Sequence, residues 1–316
     1  ALTIVTAGLS KSLIPTSLDI VQTSIVILLV TMVVLIIGRY KLLDQMIKLV
    51  ILVLTLTTII AVVAAFGVER EMVETSLQHF DWMNKTHILF LIAFIGWMPA
   101  PIDIVVWGSL WAQSKNDHMK EKPTIREALI EFRVGFFGTM IIAAAFLALG
   151  ALIMYGTGED LSPSGVVFAD QLIRLYTESI GEWAYPVIAL AAFTTMFSTI
   201  ITVADAYPRT LREAIRLLFP KSPTRRLSYT LWMAVLMAGA IFILNQAKSM
   251  HVLVDLATTL SFITAPVLAY LNYRVITNKD ISTQYQPARY LKIWSVIGIV
   301  FLTVFTLFYI AWIIFA

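Results

Sequence analysis

Apolar residues run along this chain in long stretches, interrupted at intervals by short polar clusters. Runs of membrane-spanning length fall at roughly 19–38, 46–66, 88–112, 130–155, 184–205, 228–245, 252–273 and 291–314. Residues 1–15 read as the end of one further helix. The pattern predicts an all-α polytopic membrane protein, with residues 1–316 forming a single transmembrane domain. Between the runs, residues 67–87 carry Glu69, Glu71, Glu74 and Asp81, which predicts a short surface helix. Residues 157–163 read as an exposed turn-rich loop. Residues 166–182 alternate apolar and polar at helical spacing, which predicts an interfacial helix before the next span. Residues 206–226 form a basic connector, with Pro220 and Pro223 marking its helix end.

One run contains its own interruption. Trp97-Met98-Pro99-Ala100-Pro101-Ile102-Asp103 lies in the middle of the apolar stretch 88–112. Pro99 and Pro101 remove two backbone donors and clash with the preceding turn, so the helix breaks there. Inside a bilayer a break survives only where the freed carbonyls and amides line a cavity or bind something. Secondary transporters use that device to hold substrate near the midplane.

Composition narrows the class. Hydrophobic residues make up 59% and charged residues 14%, and the mean hydropathy is +0.84, too apolar for a water-soluble surface. The net charge of +3 is therefore not a nucleic-acid signal. Basic residues sort instead by loop: segments 39–48, 115–133, 209–226 and 274–292 hold 18 of the 23 lysines and arginines. The positive-inside rule places these segments in the cytoplasm, so 19–38 runs inward and 291–314 ends outside. The absence of cysteine excludes disulfides, thiolate metal sites and thiol catalysis. An apolar start at Ala1, without Met or a basic n-region, is read as a truncated start rather than a signal peptide.

With this topology and the broken helix, the chain resembles the natural resistance-associated macrophage protein (Nramp) family of divalent-metal transporters. The resemblance rests on Thr6-Ala7-Gly8-Leu9 with Leu13-Ile14-Pro15, on Met98-Pro99 in a broken helix, on Gln113-Ser114-Lys115, and on Ser198-Thr199-Ile200-Ile201-Thr202. It implies a LeuT-type inverted-repeat fold. Within that fold the chain supplies the family's helices four to eleven plus the end of helix three, leaving the first repeat incomplete. Two departures matter. Ala100 stands where the family carries His after Met-Pro, and Ile95 stands where a smaller residue would offer its carbonyl. The chain therefore looks like a divergent subgroup.

The resemblance implies a substrate site at Met98, Ile95 and the position of Ala100, and the intramembrane carboxylate Asp103, just after the break, joins them as a candidate. The Met98 thioether is a soft ligand suited to transition metals; its alternative role is flexible packing. Ile95 contributes only its carbonyl, freed because Pro99 has no amide to donate to it. Asp103 costs about 2.5–3.5 kcal/mol within a span, so it faces a cavity or a partner. It is either an oxygen ligand or proton carrier, or an N-terminal cap of the next half-helix. Asp255 and Thr258 stand as a possible pathway or proton relay, Asp255 being equally readable as a hydrated carboxylate at the outer interface. Thr199 and Thr202 are pathway candidates whose hydroxyls more often bond their own i−4 carbonyls. Asp205, near Arg209 and Arg212, reads as an interfacial ion-pair residue, and Trp97 and Trp107 flank the break.

His79, His87, His118 and His251 show no metal-ligand spacing, and no Walker loop, paired catalytic carboxylates or His-Glu-x-x-His occurs. The chain thus reads as a transporter and not an enzyme, without a resident cofactor. It would move a divalent cation, with protons as coupling ion, in a bacterial inner membrane. Two alternatives stay open: a LeuT-fold carrier of an amino acid or other small organic solute, and a non-transporting membrane scaffold or sensor. The sequence sets neither the ion nor the oligomeric state.

Overall fold

With no water in a bilayer to bond free amides and carbonyls, each apolar run must close its hydrogen bonds within itself. A computed structural model describes residues 2–37, 40–67, 80–97, 101–102, 104–118, 124–155, 162, 164–220, 229–246 and 250–315. Its helices are α1 (Leu2–Leu13), α2 (Ile20–Ile37), α3 (Tyr40–Ala65), α4 (Lys85–Trp97), α5 (Ile104–His118) and α6 (Ile125–Ile153). They continue with α7 (Gly165–Ile180), α8 (Tyr185–Leu218), α9 (Tyr229–Gln246), α10 (Met250–Ile276) and α11 (Arg289–Phe315). No strand occurs among the described residues. Among the described residues six segments are long and apolar enough to cross a membrane: Ile20–Ile37, Ile125–Ile153, Glu182–Leu218, Tyr229–Gln246, Val252–Ile276 and Arg289–Trp312.

The chain divides into two compact units. The first comprises residues 1–79 and 110–253, and the second 80–109 and 254–316. In the first unit α1 lies against α7, α8 and α2, while α3 packs on α6, α7 and α8. Thr6, Ala7 and Gly8 are buried on α1, and side chains this small let helix backbones approach closely. The Ser24 hydroxyl of α2 donates to the Thr3 carbonyl of α1 at 3.4 Å and to its own Ile20 carbonyl at 2.8 Å. Ala7, Ile27, Leu28, Ile200 and Leu244 form an apolar core joining α1, α2, α8 and α9. In the second unit Ile88 and Ile92 of α4 pack with Phe262 of α10 and Tyr309 of α11. The other face of α11 stays apolar and exposed at Phe301, Val304 and Leu307, as a lipid-facing surface requires.

Two elements differ from the sequence reading. The segment after the 184–205 span is not a separate connector, because α8 runs on through Pro208 to Leu218. Beyond Asp205 its charges stay at helical spacing, where Arg209 pairs with Asp205 and Arg216 with Glu213. It stops two residues before Pro220, as the proline dictates. Meanwhile the interfacial helix, α7, turns its apolar face to α1 and α3, with Ala169, Ile173, Tyr176 and Thr177 buried. Most of the acidic segment expected as a surface helix (68–79) and of the loop 157–163 lies outside the described residues.

Tyr176 anchors α7. It is 1% exposed, shares a 2.9 Å hydrogen bond with the Thr58 hydroxyl of α3, and meets the edge of the Phe146 ring of α6. Burial pushes its phenol up to about 12, against a smaller opposing effect of the Thr58 bond. Because the folded state holds this proton more tightly than the unfolded chain, stability from this group is complete below about pH 10 and lost as pH rises toward 12. Replacing Tyr176 by Phe should cost about 1 kcal/mol at neutral pH, since Thr58 keeps its bond to the Leu54 carbonyl. It should also flatten the fall in melting temperature between pH 10 and 12, measured on detergent-solubilised protein. An alkaline profile parallel to wild type would refute this assignment.

Candidate functional site

The two halves of the interrupted run are separate helices, α4 ending at Trp97 and α5 starting at Ile104. Met98, Pro99, Ala100 and Asp103 lie outside the described residues. Pro101 and Ile102 are described and open the new helix: their carbonyls accept from the amides of Ile104 (3.4 Å) and Val105 (3.2 Å). At the other edge, Ile95 turns its side chain to the Ile88, Ile92, Phe262 and Tyr309 core. Its carbonyl would meet the amide of residue 99 in an unbroken helix, and proline has none.

The last turn of α4 is fixed against α10 by two contacts that the sequence did not signal. A Cβ at Gly96 would stand 3.0 Å from the Thr258 carbonyl oxygen and 3.3 Å from the Phe262 Cβ, so the two backbones almost touch there. One residue on, the Trp97 indole N–H donates to the Ser261 hydroxyl at 3.2 Å. Together these seat the edge of the break on the 258–262 turn of α10. A glycine before a tryptophan in an apolar run looks like any other small residue until its neighbour is known.

The remaining candidates separate. Thr258 is buried, with its hydroxyl donating to the Val254 carbonyl at 2.8 Å, whereas Asp255 is exposed. Thr199 and Thr202 belong to the other unit and donate to the carbonyls of Thr195 and Ser198, both at 2.9 Å. Beside them the Thr195 hydroxyl oxygen is buried and without a hydrogen-bond partner among the described residues. Trp107 is buried on α5. His87 accepts from the Asp81 amide at 2.9 Å and stacks on Phe80, the role of a loop staple. Among the described residues no group of three or more His, Cys, Asp or Glu side chains could hold a metal ion. Asp205 forms its ion pair with Arg209 at 2.8 Å, and also receives Trp111 and Tyr229.

The backbone contact at Gly96 yields a direct test. Gly96→Ala should destabilise by about 1–3 kcal/mol, the usual cost of overpacking, because a backbone oxygen cannot swing aside. Gly108, whose added Cβ would meet nothing within 4 Å, should tolerate Ala or gain slightly from the better helix former. Thermal melts of the two variants in detergent decide it, and equal melting temperatures would contradict the close approach.

Comparison with known proteins agrees with the helical architecture. The family model described as natural resistance-associated macrophage protein-like matches residues 3–311. An uncharacterized protein of Pasteurella multocida (strain Pm70) is 36% identical over 281 residues, which cover 87% of this chain and 63% of that protein. The chain thus spans less than two thirds of its relative's length. Members of the matched family are membrane transporters of LeuT-like helical fold and not enzymes. A match over nearly its whole length places this chain in the natural resistance-associated macrophage protein-like family.

Proposed function

We propose that the full-length protein carries divalent metal cations across a bacterial inner membrane by alternating access, with protons as the coupling ion. The observation that carries this reading is the separation of α4 from α5 inside one apolar run, in a chain of this family. A divalent ion entering a low-dielectric site must exchange its water for ligands that repay the dehydration. The break supplies several kinds. The Ile95 carbonyl is a neutral oxygen, Asp103 a charged one, and Met98 a soft sulfur that favours Mn²⁺ or Fe²⁺ over Mg²⁺ and Ca²⁺. Ala100 provides no ligand atom beyond its backbone, so Asp103 takes over the donor and proton-carrying work of the family's His. The Gly96 and Trp97 contacts hold one rim of this site on α10.

The test uses full-length protein in proteoliposomes, with a divalent-sensitive dye inside and Mn²⁺, Mg²⁺ or Ca²⁺ outside. Wild type should admit Mn²⁺ well ahead of Mg²⁺ and Ca²⁺. Met98→Ala should cut the preference for Mn²⁺ over Mg²⁺ at least tenfold, the loss of about 1.4 kcal/mol of selective binding. Asp103→Asn should abolish uptake while leaving the protein monodisperse. Wild-type Mg²⁺ uptake equal to that of Mn²⁺ would remove Met98 from the site. Failure of every divalent ion would leave the organic-solute carrier as the better reading.

A further inference from the structure

We infer that Asp205 is the keeper of a cytoplasmic latch that clasps the far end of α5 and opens during the transport cycle. The carboxylate collects donors from three helices, each through a residue of the first unit. Its Oδ2 accepts the Trp111 indole N–H of α5 at 3.0 Å, and its Oδ1 accepts the Tyr229 hydroxyl of α9 at 2.6 Å. The Arg209 Nε of α8 reaches both oxygens, at 2.9 and 2.8 Å. The Arg209 guanidinium also lies 5.2 Å over the Tyr229 ring. Bonds to a charged acceptor are the strong ones, and with the Asp205 side chain 13% exposed they are weakly screened.

Three features make this a device that releases and not merely a fixed staple. First, α5 begins at a break, so its position depends on what grips it further along. Trp111 sits two turns into that helix, beyond the point where a continuous helix would have held it. Second, Pro208 lies inside α8 one residue before Arg209 and leaves the Ala204 carbonyl without its helical amide. The latch is thus mounted on a turn of its own helix that lacks one backbone bond. Third, an apolar cavity of about 240 Å³ opens beside that turn, lined by Val203, Ala204, Tyr207 and Pro208 of α8 and by Met233 and Met237 of α9. The proline turn is therefore less tightly packed within this chain than the buried core of the same unit. A polar clasp at the cytoplasmic end also opens cheaply, because water can replace each donor once the helices part.

This inference rests on the alternating-access reading, and its test reads the latch separately from the cargo. The chain has no cysteine, so Gln113→Cys and Thr230→Cys, both at exposed positions on α5 and α9, can carry a spin-label pair. Any cysteine in the rest of the full-length protein is first replaced by serine. Asp205→Asn and Tyr229→Phe should enlarge the longer-distance population at least fivefold over wild type, and Asp205→Glu should restore most of the original distribution. Trp111→Phe, which keeps the ring packing, serves if the others do not fold. The same variants should change the Mn²⁺ uptake rate at least fivefold. Distributions superimposing on wild type in a monodisperse variant overturn the latch, whatever the wild type transports. A shifted distribution in a protein that carries no divalent ion upholds the latch and removes the metal reading.

Discussion

The constraint on which everything else depends is the backbone hydrogen bond in a medium that offers no water. It turns each apolar run into a helix, and it makes the exception at 98–103 informative. Pro99 cannot answer the Ile95 carbonyl, and the next helix is rebuilt only from the Pro101 and Ile102 carbonyls onward. An unanswered carbonyl at that depth has to face another protein group, trapped water or a cation. Nothing in apolar packing alone would maintain such a site, because a continuous helix of the same composition would satisfy its backbone fully.

Contacts within each unit then divide the labour between apolar and polar groups. The α1, α2, α8 and α9 core and the α4, α10 and α11 core are built from interlocking aliphatic and aromatic side chains. Packing of this kind carries much of the association of helices in lipid, where hydrophobic burial between helices gains little. Polar bonds appear where an orientation must be fixed: Ser24 on α1, Tyr176 on Thr58, Trp97 on Ser261, and the donors gathered by Asp205. The first three each join two helices at a single point and the Asp205 cluster joins three, and such points set rotation and register, which fluid side-chain packing sets poorly.

Much of the helix inventory was legible, because length and hydropathy are properties of a segment by itself. The broken run, the stop before Pro220 and the Asp205 to Arg209 pair could all be read from local spacing. What escaped depends on a partner distant in sequence. The exception is α8, which passes through Pro208 for a local reason: the residues after it remain good helix formers paired with their own neighbours, which outweighs one lost bond. The apolar stripe of α7 fits a lipid surface or a protein groove equally well, and only its neighbours decide between them. Gly96 carried no signal, and the Trp111 N–H points at a carboxylate 94 positions away. At the site itself the candidate ligands were nominated by chemistry and resemblance, and Met98, Ala100 and Asp103 lie outside the described residues.

The close approach at Gly96 bears on how this protein can change over time. Its nearest obstacle is the carbonyl oxygen of Thr258, a main-chain atom present whatever residue occupies that position. The next is the Cβ of Phe262, which every residue but glycine possesses. A larger residue at position 96 therefore cannot be accommodated by trimming its neighbours, as a crowded side chain usually can. Position 96 has no compensating partner to drift with, because a change of side chain at Thr258 or Phe262 leaves the opposing carbonyl and Cβ where they are. Along the interface of α4 and α10, tolerance to substitution is one-sided.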